Sequence, residues 1–104
     1  MGPPLATDFD HLQSGVAQAW KSFDVATVNG NSVRFRVMEG VAAEWHAHAN
    51  SDELFYVVSG AILMDTESGT SEIQAGQLLV VPAGMRHRAR AQARALMLVV
   101  DSIG

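Results

Sequence analysis

The sequence predicts an all-β protein, a sandwich or a barrel built from short strands. Three observations lead there. Turn signals containing glycine, asparagine or serine break the chain about every 8 to 12 residues, a spacing typical of all-β folds. The segments between them are short and rich in valine, leucine and phenylalanine, and several alternate with a period of two. One pair is joined by Asn29-Gly30, the strongest local signal for a tight β-hairpin.

Each element follows in chain order. Gly2-Pro3-Pro4 is an extended start. Thr7 or Asp8 can cap a helix through FDHLQSGVAQAW, where Phe9, Leu12, Val16, Ala19 and Trp20 recur at helical spacing. Gly15 interrupts the pattern, so this segment is a short helix or an irregular stretch laid across a sheet. Residues 23–28 and 32–38 are the arms of the hairpin. In the second arm Val33, Phe35 and Val37 face one way, Arg34 and Arg36 the other. Residues 44–48 read as the next strand, with Glu44, His46 and His48 on one face and Trp45 and Ala47 on the opposite one. Residues 54–59 and 61–66 flank Gly60 as a second tight hairpin, and Glu67-Ser68-Gly69 turns the chain into a polar strand at 70–74. A strongly apolar strand follows at 77–81. Residues 87–92 alternate His87, Ala89 and Ala91 inward with Arg88 and Arg90 outward, and ALMLVV at 95–100 is the last strand. The chain thus divides into an N-terminal segment, residues 1–22, packing on the barrel, and a barrel domain, residues 23–104.

A chain of 104 residues, 48% of them apolar, has room for one core. Three strands, LFYVV, LLVV and LMLVV, are apolar on both faces. One face fills the barrel and the other needs cover. The N-terminal segment, through Phe9, Leu12 and Trp20, supplies part of it. A second copy of the chain is expected to supply the rest, making a homodimer. The net charge of −4 argues against nucleic acid as a main partner, because phosphate binding needs a basic field. No cysteine is present, which excludes disulfides and zinc–thiolate sites. The first residues lack the basic and apolar regions of a signal peptide, and no apolar run approaches the ~18 residues that suggest a membrane span. A cytoplasmic location and no membrane contact are the expectations.

Chemistry concentrates in GVAAEWHAHANSDELFYVVSG, residues 40–60. His46 and His48 are two residues apart, so on a strand both imidazoles reach one point. Asn50, Ser51 and Asp52 are turn formers. A returning strand brings the Glu53 carboxylate back beside the imidazoles. His87, after the Pro82-Ala83-Gly84 turn, offers a fourth donor. Neutral nitrogens and a carboxylate converging on a point suit a divalent transition metal, with Mn, Fe, Co, Ni and Zn all compatible.

The spacing carries a resemblance. Gly40, five residues, His46-x-His48, four residues, Glu53, six residues, Gly60 resembles the first motif of the cupin superfamily. Gly76, five residues, Pro82-x-Gly84, two residues, His87 resembles the second. The second motif usually carries an asparagine four residues after its histidine, where this chain has Ala91. The resemblance implies a small single-domain cupin barrel, a jelly-roll-like double-stranded β-helix with a short N-terminal helix or irregular segment. It implies that His46, His48, Glu53 and His87 hold the metal, and it offers dioxygenase, isomerase or decarboxylase chemistry. The function expected is a metal-dependent enzyme acting on a small polar, oxygen-bearing substrate. The alternative is a non-catalytic module binding a metal or small ligand. In the enzyme, Glu53 doubles as the catalytic base. His11 lies outside both motifs and reads as a surface or packing residue. Phe35, Met38, Phe55, Val57, Met97 and Val99 are candidates to line the cavity. Arg86, Arg88 and Arg90 form a basic row that reads as a solvated or subunit-facing edge, with Arg86, in a turn where strand parity fails, the one of the three able to reach a substrate anion instead. The one lysine, Lys21, lies in the N-terminal third, which argues against a sugar-phosphate site.

Overall fold

The computed structural model describes residues 2–103. They form α1 (Phe9–Ser14), β1 (Trp20–Val28), β2 (Asn31–Met38), β3 (Val41–Ala42), β4 (Glu53–Ser59), β5 (Ala61–Thr66), β6 (Gly69–Gln74), β7 (Leu78–Val81), β8 (His87–Ala91) and β9 (Ala95–Ser102). The strands make two antiparallel sheets, a larger one ordered β1-β2-β9-β4-β7 and a smaller one ordered β3-β8-β5-β6. Their facing sides supply one interior core, with Phe55, Val57 and Met97 from the larger sheet against Ile62, Met64 and Ala89 from the smaller. This is the expected all-β barrel with a short helix near its start. Among the described residues no helix is long and apolar enough to cross a membrane.

The N-terminal helix is shorter than its apolar periodicity suggests. Asp8 caps it, accepting a hydrogen bond from the His11 backbone N–H, and Gly15 ends it. Ala19 and Trp20 lie beyond the helix, and Trp20 opens β1. Helix α1 covers part of the outer face of the larger sheet. Phe9 stacks on Phe35 at 4.5 Å between ring centres, and Leu12 and Val16 complete a second core with Val37, Leu96 and Leu98. Arg94 clamps the segment, donating hydrogen bonds to the Gln13 and Val16 carbonyl oxygens and to Glu39.

This second core reverses one expectation about β2. Phe35 is fully buried, but under α1 rather than in the barrel. Arg34 and Arg36 pair in register with Val99 and Met97, whose side chains fill the interior. Residues paired across an antiparallel ladder share a face. The arginines therefore point inward and the phenylalanine outward. The other candidate lining residues, Met38, Phe55, Val57, Met97 and Val99, do lie in the interior core.

Two further expectations are corrected. Residues 44–48 form no strand, and only a single bridge between His46 and His87 joins them to the smaller sheet. Gly60 is not the tip of a hairpin, because β4 pairs with β7 and β9 while β5 pairs with β6 and β8. The chain instead crosses from one sheet to the other there. Gly60 has φ +78°, and a Cβ built on it would lie 2.6 Å from the Arg94 carbonyl oxygen. Gly60→Ala is expected to destabilise the protein by roughly 2–4 kcal/mol, adding left-handed strain to a backbone clash. Gly30, with φ +76° and nothing within 4 Å, is the control. Gly30→Ala should cost about 1 kcal/mol, from strain alone. Denaturant unfolding of the two variants checks the difference, and equal losses would refute the crowding argument.

On the outer face of the smaller sheet, the buried Asp65 accepts hydrogen bonds from Arg88, Arg90 and Thr70. The Arg90 and Thr70 hydrogen bonds, then that from Arg88, hold its carboxyl well below the usual carboxylate range. A depressed folded pKa stabilises the protein above the unfolded value of about 4, and this contribution fades as pH falls through the folded value. Arg88 and Arg90 are thus paired with a carboxylate, on the side away from the barrel interior.

Candidate metal centre

Glu53 is the first residue of β4, held between Val81 of β7 and Asp101 of β9. His87 is the first residue of β8 and exchanges backbone hydrogen bonds with His46, at 3.0 and 2.9 Å. The His48 carbonyl oxygen accepts from the Gly84 N–H at 2.8 Å, and Asp52 accepts from the Ala83 N–H at 2.9 Å. The loop between β3 and β4 is thereby tied to the turn before β8. Those few hydrogen bonds, rather than a continuous strand, aim the two imidazoles inward.

The three imidazole Nε2 atoms surround one carboxylate oxygen. Glu53 Oε1 lies 2.8 Å from His87 Nε2, 3.4 Å from His48 Nε2 and 3.8 Å from His46 Nε2. The four donor atoms all lie within 4.8 Å of one another. His46 and His87 each place Nδ1 2.9 Å from a backbone carbonyl oxygen, those of Glu44 and Met85. In a neutral ring Nδ1 is then the donor and Nε2 keeps its lone pair. Carbonyls in this position also orient ligating imidazoles. His87 Nε2 and Glu53 Oε1 consequently face each other lone pair to lone pair, a contact that a shared cation or proton turns favourable. His48 Nε2 is buried and has no hydrogen-bond partner. The donor set fits a transition-metal ion, and the four residues can hold one. Glu53 and His87 are almost wholly buried, while the His46 and His48 side chains are 39% exposed. The cluster is therefore dry on one side and open to solvent on the other.

The remaining sequence candidates lie elsewhere. Glu44 is exposed and outside the cluster. His11 is exposed on α1. The Arg86 guanidinium lies 5.7 Å from the centre of the Trp45 ring, and Arg88 lies 5.2 Å from the same ring. Ala91, at the usual asparagine position, is packed in the barrel core. A hollow of about 480 Å³ opens beside β3 and Gln92. It contains none of the four clustered residues, and convergent donors are a better guide to chemistry than concavity.

Arg34 is the residue that sequence reasoning missed. Its Nη2 lies 3.5 Å from Glu53 Oε2 and donates to Asp101 Oδ2 at 2.8 Å. The two Glu53 oxygens are thus divided, one toward the histidines and one toward a guanidinium. Alternation in SVRFRVM marked Arg34 and Arg36 as sharing a face. Assigning Phe35 to the interior sent both arginines outside.

The barrel and its cluster define a small β-barrel domain able to bind a metal ion. The chain belongs to the Cupin_2 family of cupin domains, matched over residues 33–101. It is 36% identical over 91 residues to the uncharacterised protein YdbB of Bacillus subtilis, covering 86% of this chain and 80% of that protein. A shorter match, 42% identical over 45 residues, is to the polyketide synthase CurC of Streptomyces cyaneus, covering 43% of this chain and 29% of that protein. Among solved structures, a cupin-2 domain protein from Shewanella frigidimarina superposes with a TM-score of 0.83 at 26% identity, covering 92% of this chain and 93% of that one.

Proposed function

We propose that this protein is a metal-dependent enzyme acting on a small polar substrate through its oxygen atoms, with His46, His48, Glu53 and His87 as the ligands. The observation that carries this reading is the convergence of three imidazole Nε2 atoms on Glu53 Oε1. A divalent ion held there would supply positive charge that polarises a carbonyl, enol or diol oxygen. Four protein donors leave room for such oxygens on a six-coordinate ion. Phe55, Val57, Met97 and Val99 exclude water on the inner side, which strengthens electrostatics at the site. Glu53 is the group we assign to proton transfer, since a carboxylate beside a polarised substrate can accept a proton. Arg34 orients that carboxylate through Oε2. Carbonyl-rich substrates suit this arrangement, and the segment shared with a polyketide synthase supports that class.

The protein works in the cytoplasm as a homodimer on this reading. Leu78 and Val80 are 60% and 48% exposed on the outer face of the larger sheet, beyond the reach of α1. A second copy covers that strip. Light scattering at micromolar concentration should give twice the chain mass, and the mass of one chain would refute the pairing.

The function is tested by elemental analysis of protein made without a histidine tag, followed by oxygen-consumption and isomerisation screens after reloading with iron, manganese, nickel or zinc. Near one ion per chain and turnover of a carbonyl or enol compound are expected. Bound metal with no turnover in either screen would replace the enzyme by a binding module.

A further inference from the structure

Arg36 has no role in the centre described so far, and its surroundings need one. It is 8% exposed, a burial that cations seldom reach unless paired. Among the described residues its side chain makes no hydrogen bond or ion pair. Its guanidinium carbon lies 4.5 Å from the centre of the Trp20 ring. Stacking occupies the face of the guanidinium and leaves its in-plane N–H groups free. Arg36 Nε is buried without a partner, and so are Arg34 Nε and Ser22 Oγ. Ser22 and Arg36 are paired across the β1–β2 ladder, and Arg34 is two residues along the same inward face. Three adjacent unsatisfied polar groups therefore share one wall, and a native interior tolerates few such groups.

Both carboxylates in contact on that wall serve Arg34. Arg34 is matched by Asp101 and by Glu53. Arg36 has no carboxylate of its own. Burial, with the neighbouring Arg34 cation, lowers its pKa to about 10, against the opposing effects of Glu53 and Asp101. It thus stays a cation at neutral pH, with no carboxylate in direct contact with its guanidinium. Asp24, the carboxylate on β1, is exposed and pairs in register with Arg34.

We propose that Ser22, Arg34 and Arg36 form a carboxylate-binding subsite beside the metal centre, so that the substrate is a small organic acid. The inference rests on the metal-centre reading and deepens it. One end of the acid presents oxygen donors at the histidine cluster, and its carboxylate lies in the fork of Arg36 with the Ser22 hydroxyl and Arg34 Nε as further donors. A single unpaired guanidinium matches one carboxylate charge better than a phosphate dianion. Trp20 holds the fork in place, as a stacked guanidinium requires.

The test compares two acids that differ in one carboxylate, L-malate and 2-hydroxybutanoate. Their binding is measured calorimetrically on Ni²⁺-loaded wild-type protein and on Arg36→Met. Malate is expected to bind the wild type at least about tenfold more tightly, a usual scale for one charge-assisted pair. In Arg36→Met the ratio should fall to near one. Methionine fills the same space without a buried charge, so the variant should fold, and thermal unfolding confirms it. Arg88→Met removes the same charge from the outer face and should leave the ratio unchanged. A malate preference below about threefold in the wild type, or one that persists in Arg36→Met, overturns the subsite. A separate Ni²⁺ titration of both proteins reports on the metal. If Ni²⁺ fails to bind, the metal reading falls, and the same malate ratio measured on metal-free protein still decides the subsite.

Discussion

A His46→Ala, His48→Ala double variant should lose its metal and keep its fold. Occupancy is expected to fall from near one ion per chain to below about a tenth. Mutating a residue that only supports a ligand typically weakens metal binding 10–100-fold, so losing two direct donors should exceed that. Glu53 and His87 remain, and two donors hold a transition ion poorly in competition with water and buffer. The fold should survive because neither imidazole belongs to a hydrophobic core, and both side chains are 39% exposed. The bonds that the two histidines themselves contribute to tying this loop down run through backbone atoms, from the His46 N–H and to the carbonyl oxygens of His46 and His48. Alanine keeps all of them. Thermal unfolding of metal-free wild type and variant should therefore agree within about 1 kcal/mol, the scale of exposed substitutions. Elemental analysis of tag-free protein gives the answer directly. Metal retained at wild-type level would sink the ligand assignment.

Glu53→Gln should separate holding an ion from doing chemistry. On a compound that turns over, the rate is expected to fall by roughly 10²–10⁴, the usual contribution of a positioned general base. Metal occupancy should fall far less. Glutamine has the shape of glutamate and keeps an oxygen donor, so the three imidazoles still converge on a ligating atom. Arg34 loses one carboxylate partner but keeps Asp101 at 2.8 Å, which limits rearrangement of the buried wall. Rate and occupancy must be read on the same preparation. If both fall by the same factor, Glu53 is a ligand only.

The four clustered residues were legible because their positions obey short-range rules. His46 and His48 are separated by one residue, Glu53 follows a turn, and His87 follows Pro82-Ala83-Gly84. The reason they meet was misread. Strand parity over 44–48 predicts their convergence, whereas backbone hydrogen bonds from a non-strand loop aim the imidazoles. Gly60 shows a similar gap. A glycine between two apolar runs suits a hairpin or a crossing between sheets equally well, and only the partners of β4 and β5 distinguish them.

By itself the sequence determined the fold class, the Asn29-Gly30 hairpin and the identity of the clustered donors. Each of these depends on contacts close in the chain or on residue chemistry alone. The tertiary structure decided which face of β2 is the interior. Both faces of that strand are covered, one by the opposite sheet and one by α1. Alternation reports that two faces differ without saying which is inside. That choice depends on Phe9 reaching Phe35 across 26 residues of chain, and no local pattern encodes it. It placed Phe35 under the helix and turned Arg34 and Arg36 toward Glu53, giving the barrel interior two cations that the choice of face had sent outside.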